Sequence, residues 1–138
     1  DLPEQGQSGP RLDYESDASF LVSLLASLSP RFSSSPTTRP VLVVPSAAGK
    51  YGLGVALQHT NHISGFVPIA PVGVTQILQE AYTSLDLPTL IVWGENDRIG
   101  RQTAPFLRLI PGSREFIVED AGHACYLEET TGFHKQLL

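Results

Sequence analysis

Four short runs of apolar residues recur along this chain and are separated by segments of mixed polarity. They cover residues 41–44, 65–70, 89–93 and 115–118. The first run is uninterrupted, mostly β-branched and does not alternate with polar residues, which favours a strand of a parallel sheet that is covered on both faces. Pro68 in the second run has no amide hydrogen, so we expect that strand to pair imperfectly on one side.

The segments between these runs have the spacing of amphipathic helices. Apolar residues recur at helical spacing over residues 16–28, with Ser16 or Asp17 placed to cap the first turn and Pro30 just beyond the end. We expect Thr103 to cap a later helix. The further predicted helices cover residues 47–58, 75–83 and 103–110 and the segment around Phe133. Helices that alternate with strands through short connections predict an α/β fold, a parallel sheet with helices on both faces.

The bulk properties exclude several classes of protein. The chain has 138 residues and a net charge of −5, which favours one domain over residues 1–138 and argues against a nucleic-acid partner. Its apolar runs are far shorter than the roughly 18 residues that span a bilayer, so we expect no membrane segment within it. The single cysteine, Cys125, excludes an internal disulfide and favours a reducing compartment, so we expect a cytoplasmic location. Whether an anchor or signal lies upstream of Asp1 is left open by this sequence.

Three polar residues follow three different predicted strands. They are Ser46, Asp97 and His123. Functional side chains of parallel sheets gather at the carboxyl ends of strands, so we expect these three to meet. A serine hydroxyl needs a histidine to take its proton, and a carboxylate fixes the histidine tautomer. The order serine, acid, histidine is typical of α/β-hydrolases, and the amide of Ala47 would then donate to the developing oxyanion.

Each of these residues also has an ordinary structural explanation. A serine before a helix is a common cap, an aspartate after a strand can belong to a turn, and a histidine in a tight loop can bind backbone groups. Glu95 is the nearest competitor for the acid, and Asp120 comes third. It is the combination of three residue types, in this order and at three strand ends, that favours a catalytic triad.

Other reactive side chains are weaker candidates. His59 and His62, on either side of Asn61, lack the cysteine or spaced carboxylate of a metal site, so we expect no metal there. Lys50 is expected to be solvated, and Cys125 to be a small buried side chain rather than a nucleophile. The sequence also has no phosphate-binding glycine loop, so we expect neither a metal nor a nucleotide cofactor.

Four segments carry a resemblance to a known family. They are Val-Pro-Ser-Ala-Ala-Gly at 44–49 and the stretches 62–71, 88–97 and 121–127. Through them nearly the whole chain resembles the α/β-hydrolase domain-containing 14 family, A and B types. The resemblance implies that Ser46, Asp97 and His123 occupy the triad positions and that the chemistry is acyl transfer of the serine-hydrolase type. The opening residues look like the loop after the fourth strand, so the chain corresponds to the C-terminal half of that fold and lacks its first strands.

Two departures accompany this resemblance. The general nucleophile-turn pattern has glycine two residues before and after the serine, whereas this chain has Val44 and Ala48. In addition, nothing before Asp1 supplies the histidine-glycine loop that donates the second oxyanion amide in the family.

Two functional hypotheses follow. The first is a serine hydrolase or acyltransferase that acts on a small ester, thioester or amide, with a small acyl substrate as its partner and an open site because the 71–87 connection is short. The alternative is a truncated, non-catalytic hydrolase-like protein that binds another protein. In the resembled fold the strand at 41–44 lies in mid-sheet, so here we expect an unpaired apolar edge that a protein partner can bind, and residues 1–138 alone to be a poor catalyst.

Overall fold

Four parallel strands form the centre of the protein. The computed structural model describes residues 2–10, 16–32 and 39–137, with 29–32 described as backbone only. The strands are β1 (Val41–Pro45), β2 (Gly65–Ile69), β3 (Leu90–Gly94) and β4 (Arg114–Val118). They lie side by side in the order β1-β2-β3-β4, and all three pairings are parallel. Since parallel neighbours share a direction, all four strands end at the same edge of the sheet, where the site residues follow them.

Helices cover the two faces of this sheet and create two apolar cores. The helices are α1 (Asp17–Phe32), α2 (Gly49–Gln58), α3 (Gln79–Thr83), α4 (Arg98–Leu107), α5 (Cys125–Glu128) and α6 (Thr130–Leu137). Side chains from α1 to α4 pack in the larger core with Phe66 of β2, while α5 and α6 pack in the smaller core with the next residue, Val67. Successive strand residues thus face opposite cores, which confirms the predicted α/β sheet with helices on both faces.

Pro68 interrupts the pairing of β2 with β3, as expected. The amide of Phe66 donates to the carbonyl of Pro88 (2.9 Å), and the amide of Ala70 donates to that of Val92 (3.2 Å). Alternate residues of a parallel strand bond to the same neighbour, so the missing donor between them is the proline. On its other side β2 pairs with β1 over its full length.

Strand β1 is more exposed than its sequence predicts. Only Val44 is fully buried, whereas Val41 and Val43 are 54% and 42% exposed. The expectation of a strand covered on both faces is therefore wrong. The reason is position, since β1 is the end strand of the described sheet and no described helix covers its face with Val41 and Val43.

Helix boundaries differ most from the sequence-based expectations in three places. Helix α4 begins at Arg98 and is capped by Asp97, while the Thr103 hydroxyl donates to the carbonyl of Ile99 inside the helix. The predicted helix at 75–83 is a 3-10 turn followed by the short helix α3. Helix α1 is capped by the Ser16 hydroxyl, which accepts from the amide of Ser19, and continues beyond Pro30.

Loops fill the remaining parts of the chain. Residues 2–10 form turns, as predicted, whereas 11–13 and the predicted polar connection at 33–38 lie outside the described residues. Within the described ranges, no helix is long and apolar enough to cross a membrane.

Candidate active site

Ser46 stands at the end of β1 in a strained turn. Its φ of +45° is in the left-handed region, which costs a residue other than glycine about 1–3 kcal/mol and is typical of functional turns. A 3-10 turn, Ser46–Ala48, leads directly into α2. The Ser46 carbonyl accepts from the amide of Val72 (3.0 Å), so the chain after β2 holds the turn in place. The sequence therefore places the serine on a sharp strand-to-helix turn, as predicted.

Two glycines of α2 make this turn possible. A Cβ on Gly49 would lie 2.2 Å from the carbonyl oxygen of Val72, and a Cβ on Gly52 would lie 2.4 Å from Cγ2 of Val44. Both distances are far below a van der Waals contact, so only glycine fits. Val44 departs from the general pattern, and Gly52 provides the space for its bulk.

Asp97 is held rigidly at the end of β3. Its side chain is only 3% exposed, and its Oδ1 atom accepts the amide hydrogen of Ile99 at 2.9 Å as the cap of α4. Its own amide donates to the carbonyl of Gly94 at 2.8 Å. Oδ1 and the backbone are therefore fixed, and Oδ2 remains available to a second partner.

His123 joins the other two residues. Its Nδ1 atom lies 2.8 Å from Oδ2 of Asp97, and its Nε2 atom lies 2.7 Å from Oγ of Ser46. A carboxylate accepts only, so Nδ1 donates to Asp97 and the Nε2 lone pair faces the serine hydroxyl. The imidazole is 40% exposed, so the site is open to solvent. This arrangement can deprotonate Ser46 when its oxygen attacks an acyl carbon.

The two competing carboxyl groups do not reach His123. Glu95 accepts the amide hydrogen of Asp120 through Oε2 at 3.1 Å. Asp120 is exposed and has a φ of +56°, so its contribution is the bend of the loop before His123. Of the three carboxylates considered, the structure brings only Asp97 to the histidine.

The remaining sequence candidates take structural positions. Ala47 is exposed and directly follows Ser46, where its amide was expected to donate to an oxyanion. Lys50 pairs with Asp17 at 3.7 Å. His59 and His62 stack edge to face in a turn, and no group of three metal-ligating side chains occurs among residues that the structure describes.

Cys125 lies close to the triad but is sealed from solvent. It is fully buried. Burial raises the pKa of its thiol, and the neighbouring Asp97 and Glu128 carboxylates raise it further. A thiol held protonated in this way is a poor nucleophile, which agrees with the expectation that Cys125 is a small core residue.

Sequence reasoning missed Glu128. Both of its carboxylate oxygens accept the amide hydrogen of Gly122, the residue before His123, at 3.1 Å. No motif marks this contact, because it depends on how the loop at 119–124 bends back over α5.

The sequence is similar to part of two known proteins. No protein-family model matches the sequence. The chain is 37% identical over its whole length to "Protein ABHD14A" of Mus musculus, of which it covers 55%. It is 36% identical to "Putative protein-lysine deacylase ABHD14B" of Homo sapiens in a match that covers 72% of this chain and 47% of that protein. The chain thus spans about half the length of the curated relatives it matches.

The fold of this chain is similar to that of a solved structure. A predicted CIB-like hydrolase from Thermoplasma acidophilum superposes with a TM-score of 0.76 at 26% sequence identity, over 99% of this chain and 67% of that one. The four parallel strands and the helices on both faces are those of α/β hydrolases. The chain therefore has an α/β-hydrolase fold, and its sequence is similar to part of the ABHD14 proteins.

Proposed function

We propose that this chain carries the catalytic residues of a serine hydrolase or acyltransferase that acts on a small ester, thioester or amide. The observation that supports this most strongly is the continuous hydrogen-bonded path from Asp97 through His123 to Ser46, with distances of 2.8 and 2.7 Å. Ser46 is the nucleophile, His123 the general base and Asp97 the group that orients the imidazole.

The reaction proceeds in two steps, the acylation and then the deacylation of Ser46. Oγ of Ser46 attacks the acyl carbon while its proton moves to Nε2 of His123, and the carbonyl oxygen becomes an oxyanion. The amide of Ala47 donates to that oxyanion, and the tetrahedral intermediate collapses as His123 returns the proton to the leaving group. Water or another acceptor then attacks the acyl-serine through the same base and releases the acyl group.

Asp97 makes this proton transfer favourable. Its carboxylate is buried, so its attraction for the transient imidazolium is screened less than it would be in water. The amide of Ile99 keeps the carboxylate from rotating away. The histidine is thus held in the tautomer that accepts the serine proton.

The connection after β2 favours substrates that approach from open solvent. Tyr82 and Val74 of this connection are both fully buried in the larger core, and the Tyr82 hydroxyl donates to the carbonyl of Val74 at 2.9 Å within the connection. Burial also raises the pKa of Tyr82, so this donor stays protonated. A connection packed into the core in this way supports an open site at Ser46.

A panel of acyl substrates tests the proposal and narrows its chemistry. The name of the human relative, "Putative protein-lysine deacylase ABHD14B", makes acyl-lysine amides one class to include. We expect the intact protein to turn over a p-nitrophenyl ester, an acyl thioester or an acetyl-lysine peptide, and the Ser46→Ala variant to turn over none of them. Equal turnover by both proteins would contradict the proposal.

One observation favours a binding role instead. The exposed valines of the edge strand β1 can pair with another polypeptide, with or without turnover. An intact protein that hydrolyses nothing in the panel, yet binds a partner that is lost on substitution of Val43 by lysine, would support that alternative.

The free thiol of Cys125 fits a reducing compartment, and we place the protein in the cytoplasm on that basis.

A further inference from the structure

The loop that carries His123 is docked onto the turn that carries Asp97. The amide of Asn96 donates to the carbonyl of Ala121 (2.9 Å), and its side-chain amide donates to the carbonyl of Asp120 (3.1 Å). Gly94 leaves no room between them, since a Cβ there would lie 2.1 Å from the carbonyl oxygen of Gly122. The two loops therefore form one unit, and a shift of either changes the distance from Asp97 to His123.

Two carboxylates each accept a backbone amide hydrogen of this loop. Glu95 accepts the amide hydrogen of Asp120 (3.1 Å), and Glu128 accepts that of Gly122 with both oxygens (3.1 Å each). The two amides flank Ala121, and the second immediately precedes His123. We call Glu95 and Glu128 the carboxylate brace.

The brace supports a bend that the sequence does not favour by itself. Asp120 has a φ of +56°, a left-handed conformation for a residue with a side chain. Each carboxylate oxygen accepts from an amide hydrogen at a fixed point of the loop. The brace therefore gives the bent loop two direction-specific partners next to the histidine.

We propose, on the basis of the triad function above, that Glu95 and Glu128 are positioning residues that hold His123 between Asp97 and Ser46. Neither carboxylate touches the imidazole or Ser46, so both act through the backbone of the loop. A misplacement of about 1 Å in a catalytic group can lower a rate about 10²-fold. Loss of the brace should therefore lower kcat and leave KM nearly unchanged.

The experiment compares three variants of the intact protein. Glu128→Ala removes the acceptor, Glu128→Gln keeps a carbonyl that accepts from Gly122, and Glu119→Ala removes an equal charge from the same loop without removing a bond described in the structure. We expect kcat to fall at least about tenfold in the first, to return to within a few-fold of the parent in the second, and to stay unchanged in the third. Glu95→Ala should behave like Glu128→Ala.

A spectroscopic readout separates positioning from stability. The proton shared by His123 Nδ1 and Asp97 gives a downfield proton NMR signal, and we expect this signal to broaden or disappear in Glu128→Ala while the protein still melts cooperatively. A parent-like kcat and signal in Glu128→Ala would overturn the inference, even if the melting temperature fell. Activity that survives in Ser46→Ala would instead overturn the proposed function, and the NMR signal would then decide on the brace alone.

Discussion

Nδ1 of His123 lies 2.8 Å from Oδ2 of Asp97, although 26 residues separate the two along the chain. The contact exists because β3 and β4 are parallel neighbours, so the loops that follow them leave the sheet at the same edge. Ser46, which follows β1 two strands away, completes the group through the other side of the imidazole ring.

The first prediction concerns Asp97 and its competitor Glu95. Asp97→Asn should lower kcat by about 10⁴, because an amide in place of the carboxylate favours the wrong histidine tautomer. Glu95→Gln keeps an acceptor for the amide of Asp120 and should cost only a few-fold. Steady-state kinetics of the two variants decide the roles, and a larger defect in Glu95→Gln would reverse them.

The sequence predicted which residues meet at the strand ends better than it predicted the ends of helices. Asp97 both caps α4 and bonds to His123. Because the sequence marked Asp97 as a site residue, its position as the cap of α4 was not predicted. Thr103 has the chemistry of a cap, yet its hydroxyl bonds back to Ile99 within the helix. Local propensity does not distinguish these uses, because they depend on which strand end lies nearby.

The exposure of the β1 side chains was also not predictable from the local sequence pattern. The residues of β1 have the composition of a buried strand, but burial depends on neighbours that composition does not reveal. Conversely, the presence of the four strands was predictable from the short apolar runs between turn residues, because such runs are typical of strands in a parallel sheet.

The second prediction tests the fit between α2 and β1. Gly52→Ala should destabilise the protein by about 1–3 kcal/mol, since the added Cβ overlaps Val44. Chemical denaturation measures the loss. Gly9→Ala is the matched control, because nothing lies within 4 Å of a Cβ at Gly9. A parent-like stability of Gly52→Ala would mean that the turn after β1 adapts more easily than this packing indicates.

The third prediction concerns Cys125. Because burial raises its pKa, the thiol should react with iodoacetamide very slowly at neutral pH in the folded protein and readily after denaturation. Mass spectrometry follows the adduct. Rapid labelling of the native protein at pH 7 would show an accessible thiolate and would reopen the choice of nucleophile.

The fourth prediction concerns residues 1–138 as an isolated chain. The exposed edge of β1 should make it self-associate. Val43→Lys should reduce self-association, whereas Leu78→Lys, at an exposed position away from the sheet, should not. Light scattering measures the effect. A chain that stays monomeric at high concentration would contradict this prediction.

The most direct test of the central claim is the identity of the acylated residue. The intact protein is mixed with an activated acetyl ester, quenched in acid within the first turnover and digested for mass spectrometry. The claim predicts one acetyl group on Ser46, absent from Ser46→Ala and unaffected by Cys125→Ser. An acetyl group on Cys125, or turnover that continues in Ser46→Ala, would contradict it.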